Sequence, residues 1–351
     1  MKLNNLLQSR TSKIILLIAL AFIIFLAIQT GIFLKRIYSV NIEKNEPGYL
    51  YIHTGATFTD VFNELERNNF LKDRNSFIWL AGKMNYVNRI KPGRYKITPG
   101  MSNKDLIVKL RNGEQEPVDI PIHDVRTIPQ LAGLLDRYLE IDSIHIVEKL
   151  SNEAYLDSIG FNKNNVLAMF IPNTYELYWN VSLDKFVQRM LKEYNRFWTT
   201  ARKEKAKEIG LSQDEVFTLA SIVEEETNGI SEYPIIAGVY INRLKRNMPL
   251  QADPTVKFAI GNFAAKRVLK KDTGFDSPYN TYRYKGLPPG PICMPSIKAI
   301  DGVLNYQKHK YLYFCAKEDF SGFHVFASTL VQHNRNAEAF QKAMNKRGIY
   351  R

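Results

Sequence analysis

The 351-residue sequence contains only two cysteines and six histidines, and neither residue type is spaced like a metal or redox motif. It has no C-x-x-C pair and no H-E-x-x-H pair, the spacings that favour thiol exchange or zinc binding. No G-x-S-x-G turn surrounds a serine, and no glycine-rich phosphate loop is present. We therefore predict neither a metal nor a cofactor. Cys293 and Cys315 are expected to be buried free thiols, with a disulfide between them left open.

A concentrated basic region is also absent, although the formal net charge is +13. Five of the positive charges flank one apolar segment, and the others alternate with acids along the chain. This distribution does not favour a nucleic-acid partner. It suits an anionic polymer or anionic lipid headgroups instead.

That apolar segment, Ile14–Leu34, has 21 positions, of which only Gln29 and Thr30 are polar. As a helix it is about 31 Å long, enough to cross a hydrocarbon core. The bulky residues that follow offer no small-residue cleavage site, so an uncleaved anchor is expected rather than a signal peptide. The basic residues before the span favour residues 1–13 as a cytoplasmic tail. The expected location is the cytoplasmic (inner) membrane, crossed once, with the remainder of the chain outside the cytoplasm.

Beyond a linker at 35–48, residues 49–116 alternate strand and helix signals at short intervals. Leu50–His53 is strand-like, and Thr57 with Asp60 is typical of a helix N-terminus. Lys91–Thr98 reads as a turn into a strand, and Ser102 caps a further helix that ends at Asn112 and Gly113. This order predicts a small α+β unit.

Residues 117–351 form a second, larger unit, and the fold class of the whole chain is predicted to be α+β. A strand at 118–122 precedes helical patterns that continue to Leu244, and a Pro- and Gly-rich region extends to Ser296. Tyr311–Cys315 is expected to be a buried strand that pairs with Phe323–Phe326. A closing helix is expected from His333 onward.

The most informative segment is Val216–Thr227, because three consecutive carboxylates end a mainly apolar helix. At 100° per residue, Glu225 falls opposite the apolar stripe, whereas Glu224 and Glu226 fall at or inside its edges. Desolvation at such a position raises the pKa of a carboxyl toward the pH at which a general acid works. The helix therefore offers Glu224 or Glu226 as an acid and excludes Glu225.

Four motifs follow this helix: Ile-Asn-Arg-Leu at 241–244, Leu-Gln-Ala-Asp-Pro-Thr-Val at 250–256, Tyr-Asn-Thr-Tyr at 279–282 and Gly-Leu-Pro-Pro-Gly-Pro at 286–291. With the acid-bearing helix, they resemble the endolytic murein transglycosylase family, membrane-anchored enzymes that cut glycan strands of peptidoglycan. The resemblance implies a LysM-like domain at 49–116 and a catalytic domain at 117–351. It also implies action on nascent strands beside peptidoglycan synthases.

The resemblance assigns the catalytic carboxyl to Glu224. Such an enzyme needs one carboxyl to cleave the bond between N-acetylmuramic acid and N-acetylglucosamine, because the 6-hydroxyl of the sugar attacks intramolecularly and leaves a 1,6-anhydro end. The residues expected to bind the saccharide are Glu226, Gln251, Asp253, Asn280 and Tyr282. Two alternatives remain open: a water-using glycoside hydrolase with Glu226 or Asp253 as its second carboxylate, and a non-catalytic glycan-binding scaffold.

Overall fold

The computed structural model describes residues 10–265 and 267–347. Its first helix, α1 (Arg10–Tyr38), has 29 residues and no buried side chain, and it contains the whole of the expected span Ile14–Leu34. Among the described residues it is the one helix whose length and composition are compatible with crossing a membrane.

The chain divides into two compact units, the first of which comprises the described residues up to Val118 together with Leu177–Asn180. Two capping boxes fix its helices locally: Thr57 with Asp60, and Ser102 with Asp105. These caps and the short strands lie where the sequence places them. After α1, the elements of the first unit are β1 (Gly48–Ile52), α2 (Phe58–Arg67), α3 (Arg74–Lys83), β2 (Gly93–Ile97) and α4 (Asn103–Asn112).

β1 and β2 are antiparallel, with Leu50 opposite Tyr95. Their inward side chains pack with residues of the three helices, such as Leu65, Phe77 and Leu110, in one fully buried cluster. The segment between α1 and β1 is also ordered against this unit, since Val40 bridges Ser102 and Ile42 bridges Leu71.

The second unit comprises Asp119–Glu176 and the described residues from Val181 onward. Its short strands β3 (Val118–Ile122) and β4 (Asn173–Leu177) pair with each other. The remaining helices are α5 (Ile128–Asp136), α6 (Ser143–Ser151), α7 (Glu153–Ser158), α8 (Leu183–Phe197), α9 (Thr200–Ile209), α10 (Gln213–Glu226), α11 (Tyr233–Lys245), α12 (Asp253–Ile260), α13 (Ile297–Leu304) and α14 (Leu330–Lys346). Single 3₁₀ turns lie at Val166–Met169, Ile230–Glu232 and Asp272–Gly274. The mixture of helices and small sheets confirms the α+β prediction.

Helix α10 lies at the centre of the second unit, in contact with α9, α11, α12 and α13. The sequence predicts burial of a single stripe, but all eight residues from Val216 to Val223 are buried, including Thr218 and Ser221. The Ser221 hydroxyl is compatible with burial because it is hydrogen-bonded. Ser221 Oγ donates to Thr218 O at 2.7 Å and accepts the Ile292 N–H at 3.0 Å.

The last sheet is a hairpin of β5 (Tyr313–Ala316) and β6 (His324–Ala327), antiparallel as predicted, with Cys315 opposite Val325. Two expectations are wrong here. β5 is half-buried rather than buried, and Cys315 is half-buried rather than buried. Cys293 is buried, and both cysteines are free thiols, as expected. The closing helix begins before His333, because Thr329 caps it by accepting the Gln332 N–H.

Candidate active site

The three acids at the end of α10 have three different partners. Glu225 Oε1 pairs with Arg126 Nη2 at 2.7 Å. Glu224 Oε2 accepts the backbone N–H of Ser296 at 2.6 Å. Glu226 Oε1 accepts the hydroxyl of Tyr240 at 2.5 Å. Because neighbouring helical residues are 100° apart, Glu224 and Glu226 diverge by about 200° and face different sides of the unit.

Glu224 connects two helices. Ser296 is the N-cap of α13, so the carboxylate of Glu224 accepts a hydrogen bond at the positive end of that helix. The Tyr233 hydroxyl forms a second hydrogen bond with Glu224, and burial raises the pKa of Tyr233. Glu224 lines a cavity of about 350 Å³, whose other walls include Asp124, Arg126, Glu225, Thr227, Asn228, Ile230, Tyr233, Cys293 and Met294. None of the other predicted binding residues is among them, so the structure does not bring Glu224 together with the expected groove.

Glu226 lines a different cavity, of about 340 Å³. Three residues that the sequence predicts to bind saccharide, Gln251, Asp253 and Tyr282, lie in its walls. The remaining lining residues are Tyr240, Arg243, Leu250, Tyr313, Phe314, Leu330 and His333. Five segments of the chain therefore meet at Glu226: α11, the loop into α12, the turn that carries Tyr282, the β5–β6 hairpin and the start of α14.

Burial raises the pKa of the Glu226 carboxyl to about 7. The hydrogen bond from Tyr240 and the positive charges of Lys257 and Arg243 oppose this rise, while the negative charge of Asp253 adds to it. The residue as a whole remains partly accessible. A carboxyl that is half protonated near neutral pH and reaches a cavity has the properties of a general acid.

Asp253 and Tyr282 form a pair across the same cavity. The Tyr282 hydroxyl donates to Asp253 Oδ1 at 2.6 Å, and burial together with this bond raises the pKa of Tyr282. Asp253 begins α12, where the helix N-terminus favours a negative charge. The carboxylate is thus held in place and oriented.

Gln251 adopts a left-handed backbone conformation with φ of 50°, which is uncommon for a residue with a side chain. Its N–H donates to Thr281 O at 3.1 Å, and the next N–H, of Ala252, donates to Thr281 Oγ1 at 3.0 Å. Thr255 and Thr281 are both buried and share a hydroxyl hydrogen bond of 2.8 Å. This buried threonine pair, which the sequence analysis missed, holds Gln251 in a conformation that costs on the order of 1 kcal/mol.

Asn280 does not line the cavity, and its predicted role in binding needs correction. It is fully buried, and its Nδ2 donates to Thr273 O at 3.0 Å and to Phe275 O at 2.7 Å. Its Oδ1 accepts the Tyr282 N–H at 3.0 Å. Asn280 therefore shapes the turn that presents Tyr282.

Arg243 is a further cavity residue that the sequence analysis did not assign. It is 8% exposed, and its guanidinium donates to Leu312 O at 2.6 Å and to Leu250 O at 2.8 Å. These bonds connect α11 with both the hairpin and the loop before α12. Burial lowers the pKa of Arg243. The signal was present in the Ile-Asn-Arg-Leu motif, where a charged residue interrupts an apolar helix.

His324 is paired with a buried acid. Glu232 Oε2 lies 2.8 Å from His324 Nδ1 and accepts the Thr227 hydroxyl at 2.9 Å, and Glu232 Oε1 accepts the His324 N–H. The hydrogen bonds from His324 and Thr227 hold the pKa of Glu232 below its usual value against the effect of burial. No group of three or more His, Cys, Asp or Glu residues in the described part of the chain is placed to hold a metal ion.

Together these features define an α+β protein with one desolvated carboxyl in an aromatic-lined cavity. The sequence profile of the YceG-like family matches residues 50–339, and the chain belongs to this family. It is similar to the endolytic murein transglycosylase of Bacillus subtilis (strain 168), 30% identical over 312 residues, which cover 84% of this chain and 85% of that protein. It is also similar to the endolytic murein transglycosylase of Streptococcus pneumoniae serotype 2 (strain D39 / NCTC 7466), 27% identical over 93% of this chain and 66% of that protein.

A solved structure has the same fold. The crystal structure of a putative YceG-like protein from Listeria monocytogenes matches with a TM-score of 0.53 and 25% identity, over 83% of this chain and 99% of that one.

Proposed function

We propose that this protein is a lytic transglycosylase that cleaves the N-acetylmuramic acid–N-acetylglucosamine bond of peptidoglycan and leaves a 1,6-anhydro end. The names of the bacillar and streptococcal relatives support the substrate and the reaction class. One structural observation carries the proposal: a single carboxyl with a pKa of about 7 lies in a cavity walled by tyrosines and polar side chains.

The acid in this proposal is Glu226 rather than Glu224. Glu226 shares its cavity with Gln251, Asp253 and Tyr282, and burial favours its protonated form. Glu224, which the family resemblance assigns, uses its carboxylate to accept the N–H at the start of α13. This bond occupies one oxygen of the Glu224 carboxyl group, and none of the other predicted binding residues lines the cavity beside it.

The reaction follows from this arrangement. Glu226 donates its proton to the glycosidic oxygen, and the bond from that oxygen to the anomeric carbon of N-acetylmuramic acid breaks. The 6-hydroxyl oxygen of the same sugar bonds to that carbon, and the hydroxyl proton passes to Glu226, which returns to its starting state. No water is consumed, because the attacking group is part of the substrate.

The other cavity residues have separate roles in this proposal. The Asp253 carboxylate, oriented by Tyr282, stabilises the positive charge that develops at the anomeric carbon. The Gln251 amide can bond acetamido or hydroxyl groups, and the tyrosine faces can lie against a sugar ring. Tyr240 fixes one oxygen of Glu226, so that the proton is carried by the other oxygen.

Asp253 also supports a second candidate, a water-using glycoside hydrolase, because it places a second carboxylate in the same cavity as Glu226. In such enzymes the two carboxyl groups are about 5 to 5.5 Å or about 6.5 to 9.5 Å apart. The mass of the product separates the two reactions, since an anhydro end is lighter than a reducing end by one water.

The test is to digest purified glycan strands with the detergent-solubilised full chain and to identify the ends by mass spectrometry. Anhydro ends that disappear with Glu226→Gln and persist with Glu225→Gln support the proposal. Reducing ends would contradict the transglycosylase and support the hydrolase. Binding without any cleavage would contradict both enzymes and support the glycan-binding scaffold.

We further propose that α1 anchors the protein in the cytoplasmic membrane, with the catalytic unit outside the cytoplasm, where it acts on nascent strands beside peptidoglycan synthases. The length and composition of α1 support the anchor. An extracytoplasmic reporter fused after the last residue should be active. A fusion active only in the cytoplasm would contradict both the orientation and access to the substrate.

A further inference from the structure

The C-terminal end of α1 is built into the first unit rather than tethered to it by a loose linker. Asn103, at the start of α4, is buried, and its Nδ2 donates to Arg36 O at 2.9 Å and to Ser76 Oγ at 2.8 Å. Its Oδ1 accepts the Nδ2 of the buried Asn41 at 2.6 Å. These bonds fix the last turn of α1 to α3 and α4, so the direction of α1 also sets the orientation of the unit.

Trp79 of α3 lies at the level where the apolar part of α1 ends. Its ring is 5.4 Å from the ring of Phe33, edge to face, and Phe33 is in the last turn of the span Ile14–Leu34. The guanidinium of Arg36, which is one of the first charges after the span, is 5.5 Å from the centre of the Trp79 ring. Trp79 is therefore level with the boundary between hydrocarbon and headgroups, where tryptophan is enriched in membrane proteins.

The residues near Trp79 form a rim whose composition is typical of a membrane-facing surface. The rim consists of Lys35, Arg36, Tyr38, Ile78 and Lys104. Ile78 is 40% exposed, and Tyr38 is exposed with the ammonium of Lys104 4.9 Å from its ring centre. The acid next to Lys104, Asp105, is engaged in the Ser102 capping box. Together with Lys35 and Arg36, Lys104 gives this rim a positive charge, which anionic headgroups attract.

We propose that the first unit rests directly on the headgroup layer of the membrane that α1 crosses. In this arrangement Trp79 and Ile78 lie in the interface, and Arg36 and Lys104 face lipid phosphates. The proposal rests on the membrane anchor proposed above but not on the enzymatic activity. In this proposal residues 49–116 form a domain that contacts the bilayer surface.

The test uses the full chain in nanodiscs that contain lipids brominated at shallow acyl positions, which quench tryptophan fluorescence at short range. The chain has three tryptophans, at 79, 179 and 198. We expect wild type and Trp179→Phe to lose fluorescence relative to unbrominated discs, and Trp79→Phe to lose none. Equal quenching in Trp79→Phe, or no quenching in wild type, would overturn the proposal. A second copy or another protein covering Trp79 would give the latter result.

Two controls separate the possible failures. If the chain does not float with vesicles, both the membrane anchor and the contact of the first unit with the bilayer are contradicted. If it floats and Trp79 is quenched but glycan strands stay intact, the proposed enzymatic activity is contradicted, while the contact of the first unit with the bilayer is supported.

The charge of the rim is tested by repeating the quenching with and without phosphatidylglycerol. Lys104→Gln should reduce the gain in Trp79 quenching that the anionic lipid produces. The matched control is Lys91→Gln, because Lys91 Nζ bonds Asn112 O at the far end of α4. Equal responses of the two variants would overturn the assignment of Lys104 to lipid phosphates.

Discussion

The two cavities beside the end of α10 are almost equal in volume, about 340 and 350 Å³, and each has a glutamate of the same motif in its wall. They differ in what surrounds the carboxyl. Glu224 accepts a backbone N–H that belongs to a helix N-terminus, whereas burial and a nearby aspartate favour the neutral form of Glu226. Two residues of sequence thus separate a carboxylate that connects helices from a carboxyl suited to proton transfer.

The largest expected effect is that of Glu226→Gln on cleavage. The amide is nearly isosteric but cannot donate a proton, so release of anhydro-muropeptides should fall by about 10² to 10⁴. The fold should be retained, as checked by circular dichroism. Activity close to wild type would show that Glu226 is not the acid, and it would contradict the contrast drawn between the two cavities.

The same variant should be more stable than wild type above neutral pH. The folded-state pKa of about 7 lies above the ordinary value of 4.5, so the stability that protonated Glu226 contributes is complete below about 4.5 and is lost as the pH rises through about 7. At pH 8 the wild type has lost about 3 kcal/mol of stability because Glu226 is ionised. The Glu226→Gln variant loses none of it, because glutamine does not ionise. Denaturant unfolding at pH 4 and pH 8 measures it, and equal stabilities at pH 8 would contradict the raised pKa.

Tyr240→Phe and Asp253→Asn should move the pH profile in opposite directions. After burial, the hydrogen bond from Tyr240 lowers the pKa of Glu226 and the charge of Asp253 raises it. A general acid loses activity as the pH rises through its pKa, so the alkaline limb should shift upward in Tyr240→Phe and downward in Asp253→Asn. We expect shifts of about one pH unit or less. Shifts of the same sign in both variants would contradict this environment for the acid.

Glu224→Gln should affect stability more than chemistry. The glutamine oxygen can still accept the Ser296 N–H, but the bond loses its charge assistance, which should cost about 1 kcal/mol at this partly open site, while cleavage changes by no more than a few-fold. Thermal unfolding and product release measure the two effects. A folded Glu224→Gln protein without activity would restore Glu224 as the acid.

The smallest expected effect is that of Gln251→Gly, which relieves the left-handed backbone at φ of 50°. Stability should stay equal or rise by about 0.5 to 1 kcal/mol, while KM for glycan rises through loss of the amide. Asn247→Gly is the control, since Asn247 has φ of 53° and is exposed outside the cavity. An equal change in KM for both variants would argue against contact between Gln251 and substrate.

Much of the first unit could be predicted because its signals are local. The helix starts at Thr57 and Ser102 depend on bonds to residues three positions later, and the end of α4 depends on Gly113 in the left-handed region. The hairpin of β5 and β6 was predicted from neighbouring segments for the same reason. The partial exposure of β5 was not predicted, because the exposure of a strand depends on which distant residues cover it.

The site was predicted only in part. Gln251, Asp253 and Tyr282 lie in one cavity, but Asn280 serves the turn before Tyr282, and Arg243 and the threonine pair of 255 and 281 were missed. A buried arginine or threonine becomes visible as part of a site only when its partners, which are up to 69 residues away, are known.

By itself, the sequence determined an apolar span, two α+β units and a helix that ends in three acids, of which the middle one faces away from the apolar stripe. Only the tertiary structure shows that the outer two have different surroundings. The reason is that periodicity gives the direction of a side chain, whereas its pKa depends on which atoms exclude water from it. At Glu226 those atoms come from distant segments that include Tyr240, Asp253 and Tyr313, whereas Glu224 lies in another cavity and accepts the N–H of Ser296.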